Sequence, residues 1–79
     1  MSNQPTNQQY GEQLVNTIAQ EFLVNLRQKH TEKANEAYME LLEARKEGTV
    51  EDVASAQGRL DFHTAAENKA YGMLMSLQA

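Results

Sequence analysis

His63 and Glu67 are the side chains of this sequence whose types and spacing best suit chemistry, because they lie one helical turn apart. An imidazole and a carboxylate at i, i+4 on a helix can pair directly. Such a pair could form a pH-sensitive interface or supply part of a metal site. A metal site needs more ligands, and the sequence lacks the Glu-x-x-His motif of di-iron bundles. We therefore expect a polar pair that fixes helix register, with no metal and no other cofactor.

Five glutamates form a second candidate, an acidic stripe along one helix face. They step by four, four, three and four residues, within about 80° of arc: Glu32, Glu36, Glu40, Glu43 and Glu47. The spacing places this face opposite Tyr38 and Leu41. The stripe could bind a basic protein or imitate a phosphate backbone, but a solvated helix face has the same pattern. A formal net charge of −4 is small for a nucleic-acid mimic and favours the solvated face.

Motifs for catalysis are absent from the sequence. There is no cysteine nucleophile, no Ser/His/Asp set in a plausible context, no glycine-rich phosphate loop and no H-E-x-x-H. A helical hairpin of this size also lacks the cleft volume that ligand sites use. We therefore expect a protein that is not an enzyme. His30, in a polar segment, is expected to be solvated.

Length and composition narrow the class of protein. Seventy-nine residues, of which 41% are hydrophobic, make one domain whose core supplies roughly 3–5 kcal/mol. Without cysteine, no disulfide can supplement that core, so self-association or a bound partner is expected. The negative charge disfavours direct binding to nucleic acid or to anionic lipid. With neither an apolar run of roughly 20 residues nor a signal-peptide core, we expect a cytoplasmic protein.

The first half of the chain predicts one long helix. Residues 1–9 are polar and predict a mobile tail, with Thr6 and Gln9 as a weak capping box. Residues 12–47 contain neither Gly nor Pro, which predicts a helix over residues 10–47. That helix could bend or split near His30 and Thr31, with Thr31 as a cap. A single helix is favoured because the segment contains no strong breaker.

This first helix carries two apolar stripes of helical spacing. The first contains Leu14, Val15, Ile18, Phe22 and Leu26, and the second contains Ala34, Ala37, Tyr38 and Leu41.

The segment from Arg45 to Asp52 predicts a chain reversal. Its two basic residues favour a helix end, Gly48 could close that helix in the left-handed conformation, and Thr49 could cap the next helix. The second helix is predicted over residues 50–77. The fold class is therefore all-α, an antiparallel helical hairpin or small bundle within a single domain of residues 10–79, and it is expected to self-associate.

The second helix has a wide apolar face. Its heptad positions are Val53, Leu60, Glu67 and Leu74 on one line and Ala56, His63, Ala70 and Leu77 on the other. Phe62, Ala66 and Met73 widen the face to about half the circumference, more than one neighbouring helix covers. The predicted partner-binding residues are therefore Val53, Leu60, Phe62, His63, Ala66, Ala70, Met73, Leu74 and Leu77. The segment Met73–Leu77 could insert into a partner or pack against residues 14–26.

Three functions fit these features. The first is a non-catalytic helical protein–protein interaction module (an adaptor, regulator or chaperone-like binder) that forms homodimers. The second is a structural subunit of a helical assembly, such as a secretion filament or viral particle. The third is an acidic, virus-encoded inhibitor of a nucleic-acid-binding protein, which would use the glutamate stripe. The expected partner is a protein, either a second copy or a basic protein, and neither nucleic acid nor a membrane.

Overall fold

The fold is a hairpin of two antiparallel α-helices in a computed structural model that describes residues 7–78. Helix α1 is Asn7–Glu47, with 41 residues, and helix α2 is Val50–Gln78, with 29 residues. No strand occurs within the described residues. The predicted all-α hairpin is therefore confirmed. At 1.5 Å per residue, α1 is about 62 Å long and α2 only about 44 Å.

The limits of α1 differ from the prediction at its start. The helix begins at Asn7, so residues 7–9, which were predicted to belong to the tail, are helical. Residues 1–6 lie outside the described part of the chain, and with them Thr6, the predicted capping residue. The helix is continuous through its middle, which confirms the single-helix alternative. The Thr31 hydroxyl donates a hydrogen bond to the Arg27 carbonyl at 2.9 Å. Thr31 therefore has its hydrogen-bond partner within α1 and does not cap a second helix.

Thr49 caps α2 as predicted, and its partner in that cap is Asp52. The Asp52 amide donates to the Thr49 hydroxyl at 3.1 Å, and the Thr49 amide donates to the Asp52 carboxylate at 3.1 Å. This reciprocal pattern is a capping box, with Asp in the place of the usual Glu or Gln. It satisfies two amides that a helix start otherwise leaves without partners.

Gly48 follows the last residue of α1 and lies close to the backbone of Ala44. Its amide donates to the Ala44 carbonyl at 2.7 Å, but its φ is not positive, so the predicted left-handed conformation is wrong. A Cβ at this position would lie 2.8 Å from the Ala44 carbonyl oxygen and 2.9 Å from the Ala44 Cα. Because both atoms belong to the backbone, neither can move aside as a side chain would. The position therefore requires glycine for lack of space.

The core between the helices is small. Its buried side chains are Leu23, Ala34, Ala37, Leu41, Ala56, Ala70 and Leu74. Four of the seven are alanines, which bury little apolar area each. The eight predicted heptad positions of α2 are all buried or half-buried, which confirms that register. In the second stripe of α1, Tyr38 is exposed whereas the other three residues are buried.

Helix α1 extends beyond the end of α2. Leu23 packs against Leu74, and only four residues of α2 follow Leu74. Since both helices rise equally per residue, α2 ends beside approximately residue 19 of α1. Residues 7–18 of α1, which we call the overhang, have no neighbouring helix over about 18 Å.

Most of the first apolar stripe is exposed as a result. Leu14 is 61%, Ile18 58% and Phe22 63% exposed, and Val15 is exposed as well, whereas Leu26 is half-buried. The expectation that this stripe packs against the carboxyl end of α2 holds only for Leu26, which packs with Leu77 against the core. One reason is direction, since Leu14 and Ile18 lie nine and five residues before the buried Leu23, or about 180° and 140° round the helix from the side that meets α2. The other reason is length, since α2 stops before it reaches Leu14, Val15 and Ile18. Phe22 lies to one side of the helix pair.

Candidate interaction surface

His63 pairs with His30 across the two helices. Their Nδ1 atoms lie 2.9 Å apart and their ring centroids 5.1 Å apart. One nitrogen must donate and the other accept in such a contact. The Phe62 ring meets both imidazoles edge-on, with centroids at 6.2 Å from His30 and 5.1 Å from His63. The predicted pairing of His63 with Glu67 and the predicted solvation of His30 are both wrong.

Glu67 instead pairs with Arg27 of α1. The Arg27 Nε lies 3.8 Å from the Glu67 Oε1, and the Arg27 guanidinium carbon lies 4.5 Å from the centroid of the Tyr71 ring. A cation over an aromatic face gains electrostatic stabilisation in addition to packing. Arg27 thus joins α1 to two residues of α2, and the carboxylate of Glu67 already has a partner within the hairpin. Within residues 7–78, no three metal-ligating side chains come together.

The acidic stripe lies mostly on the side of α1 that faces away from α2, and Glu40, at the edge of the stripe, reaches the contact between the helices. Glu40 accepts a hydrogen bond from Arg59 of α2, and Arg59 also donates to Ser55 at 2.7 Å. Glu36 is paired with Lys33 at 3.5 Å. The position of Glu40 follows from helix geometry, because it lies about 100° from the buried Leu41. At about 100° per residue, Glu32, Glu36 and Glu43 lie about 180°, 140° and 160° from Leu41, so most of the stripe has the predicted placement opposite Leu41. Two of the five carboxylates, Glu36 and Glu40, are already paired with basic side chains.

One side of the hairpin carries most of the exposed apolar residues of the overhang. We call the group Leu14, Val15, Ile18 and Phe22 the amino-terminal apolar face. Phe22 lies eighteen residues before Glu40, which is about five full turns, so the two share one side of α1. The contact between Glu40 and Arg59 shows that this side adjoins the Arg59 side of α2.

Two exposed residues of α2 extend the same side. Phe62 follows Arg59 by less than one turn, and Met73 follows Phe62 by eleven residues, close to three full turns. Phe62 is 64% and Met73 52% exposed. This side of the hairpin therefore carries exposed apolar residues from the overhang to the middle of α2, with Lys29, Lys33 and Lys69 between them.

The predicted partner residues of α2 divide into buried, half-buried and exposed groups. Ala70 and Leu74 are buried against α1, and the half-buried ones are Val53, Leu60, His63, Ala66 and Leu77. Only Phe62 and Met73 remain exposed. Helix α1 thus covers more of this face than expected. In the carboxyl-terminal segment, Leu74 packs inside the hairpin while Met73 and Met75 face outward.

A second apolar face lies on the opposite side of the hairpin. Tyr71 is on this side because it follows Phe62 by nine residues, or about two and a half turns, and Met75 follows Tyr71 by one turn. Val24 of α1 lies about half a turn from Phe22, and therefore on this side too. Val24, Tyr71 and Met75 are each between 45% and 48% exposed. Neither this face nor the exposure of the overhang was predicted from the sequence. The unequal lengths of the two predicted helices were a signal for the exposed overhang.

Comparisons with protein-family models, with curated proteins and with solved structures found no match to this chain. Neither helix, over the residues described, combines the length and the apolar character needed to cross a membrane.

Proposed function

We propose that this protein is a non-catalytic helical interaction module that acts by self-association. The observation that carries the proposal is the amino-terminal apolar face, where four large apolar side chains stand exposed with no helix of the same chain beside three of them. Full burial of one such side chain is worth about 1.5–3 kcal/mol. Because each of the four is already about 40% buried, covering them all would contribute roughly 4–7 kcal/mol before the cost of association is subtracted.

The placement of the polar side chains supports a role without catalysis. The pairs His30 with His63 and Arg27 with Glu67 both join α1 to α2. These imidazole, guanidinium and carboxylate groups are the ones that acid–base chemistry would need. Here they hold the two helices in register instead. The large exposed side chains on the amino-terminal apolar face are apolar, which suits contact with another protein. The expected cytoplasmic location remains a prediction.

Sedimentation equilibrium over a range of protein concentrations tests the proposal. We expect the unmodified chain to form dimers or larger species. Ile18→Gln should raise the dissociation constant of the dimer at least tenfold. The matched control is Met39→Gln, because Met39 is 64% exposed but lies at the far end of α1 from the overhang. A chain that stays monomeric at all concentrations would contradict the proposal.

A second candidate function is a subunit of an open helical assembly, and the second apolar face favours it. A subunit that is apolar on two opposite sides can contact two neighbours through different surfaces. Contacts of that kind extend into filaments when the rotation does not close. Electron microscopy of concentrated protein should then show filaments. Val24→Gln with Met75→Gln should stop assembly at dimers, whereas Ile18→Gln should prevent dimers as well.

A further inference from the structure

One face of α1 changes from apolar to acidic half-way along the helix. Leu14, Ile18 and Phe22 each have a glutamate eighteen residues later, at Glu32, Glu36 and Glu40 respectively. Eighteen residues are about five full turns and about 27 Å along the axis. The same line of positions is therefore apolar over the amino-terminal half and anionic over the carboxyl-terminal half.

This change of chemistry limits how a second copy can cover the apolar face. A parallel copy in register would place the acidic halves side by side, with like charges facing each other. An antiparallel copy that overlaps over the whole helix would place glutamates against Leu14, Ile18 and Phe22. Both arrangements oppose carboxylates to each other or to apolar groups, which is unfavourable unless the charge finds a partner.

We propose that two copies of this chain pair antiparallel through their amino-terminal halves, with the twofold axis at Ile18. The proposal rests on the self-association proposed above. In this register Leu14 of each copy meets the partner's Phe22, and the two Ile18 side chains meet each other. The glutamate halves then point away from each other at opposite ends of the dimer.

The unequal helix lengths suit the same arrangement. The overhang of each copy lies beyond its own α2 and so runs beside the partner, where the partner's α2 ends. That end carries Met73, which is 52% exposed and on the side of the amino-terminal apolar face. The dimer therefore places helix beside each overhang and covers Met73 as well.

Single cysteines give a direct test, because the natural chain contains none. Ile18→Cys treated with a short bismaleimide should give covalent dimers at least tenfold faster than Glu36→Cys, which lies on the same face about 27 Å away. Equal cross-linking of both variants would indicate a parallel dimer and overturn the proposal. Circular dichroism of each variant checks that the helices are intact.

A double variant, Gly11→Cys with Asn25→Cys, keeps Ile18 in place. Gly11 has no atom within 4 Å of an added Cβ, and the antiparallel register brings it opposite the partner's Asn25. Within one chain the two positions are about 21 Å apart, so a short reagent can join them only between copies. Rapid covalent dimer formation is expected. If the chain sediments as a dimer but neither variant cross-links, the register is wrong and the proposed function stands; if the chain is monomeric throughout, both fail.

Discussion

The Nδ1 atoms of His30 and His63 lie 2.9 Å apart and join the middle of α1 to the middle of α2. A hydrogen bond between neutral side chains contributes about 0.5–1.5 kcal/mol to stability. We expect His30→Ala and His63→Ala each to lower the free energy of unfolding by about 1–2 kcal/mol, because each leaves a half-buried nitrogen without its partner. Urea denaturation of the single and double variants measures the coupling.

The double variant should lose less than the sum of the two single variants, by about 0.5–1.5 kcal/mol. Lys29→Ala, at an exposed neighbouring position, is the control and should change stability by less than about 0.5 kcal/mol. Strictly additive losses would mean that the two imidazoles do not interact in solution.

Gly48→Ala should destabilise the hairpin, because the added Cβ would lie 2.8 Å from the Ala44 carbonyl oxygen. A loss of about 1–3 kcal/mol is expected, as for other overpacked positions. The matched control is Gly58→Ala, where an added Cβ has nothing within 4 Å and helix propensity predicts a gain of about 1 kcal/mol. Thermal unfolding of both variants should therefore shift in opposite directions. A gain in both would show that the turn can relax around the methyl group.

The capping box of α2 predicts a local loss. Thr49→Ala removes the hydroxyl that accepts from the Asp52 amide and should cost about 1 kcal/mol, the usual value of such a cap. Thr64→Ala, at an exposed position inside α2, should instead raise stability by about 0.5 kcal/mol, because Ala has the higher helix propensity. Hydrogen exchange of the amides at residues 50–53 should accelerate in the first variant only. Unchanged exchange there would argue against the cap.

The acidic stripe can be tested without unfolding the protein. Glu40 and Arg59 are each about half exposed, at 54% and 49%, and exposed ion pairs contribute only about 0–1 kcal/mol. Glu40→Gln should therefore leave the melting temperature nearly unchanged. Replacing the three carboxylates for which the structure gives no ion pair, Glu32, Glu43 and Glu47, with Gln should weaken capture of a basic protein in a salt-dependent manner. Binding that survives these changes would identify the stripe as a solvated face.

Residue types and spacing within short segments of the chain predicted the fold well. The reversal between Arg45 and Asp52 follows from residue types that favour a helix end and a helix start, and the heptads of α2 follow from periodicity alone. Contacts between the helices were not predictable in this way. The pairing of His30 with His63, and of Glu67 with Arg27, depends on how far one helix is shifted along the other, which neither capping nor periodicity specifies.

The exposure of Leu14, Ile18 and Phe22 escaped prediction for a related reason. An apolar stripe of helical spacing has the same pattern whether another helix of the chain covers it or not. The side of α1 that meets α2, and the position where α2 stops, decide between the two cases. The sequence therefore predicted a partner surface but placed it on α2, where α1 already covers most of it.

The overhang has a consequence for the order in which the molecule opens. A helical segment without tertiary contacts is only marginally stable in water, so residues 7–18 should exchange their amide hydrogens well before the paired part of the hairpin does. A partner that packs against Leu14 and Ile18 would slow that exchange in this segment alone. Amide exchange in the first turns of α1 would thus report on association, because these turns are ordered in the complex and fray in the free chain. Association would then be thermodynamically linked to the ordering of one helix end.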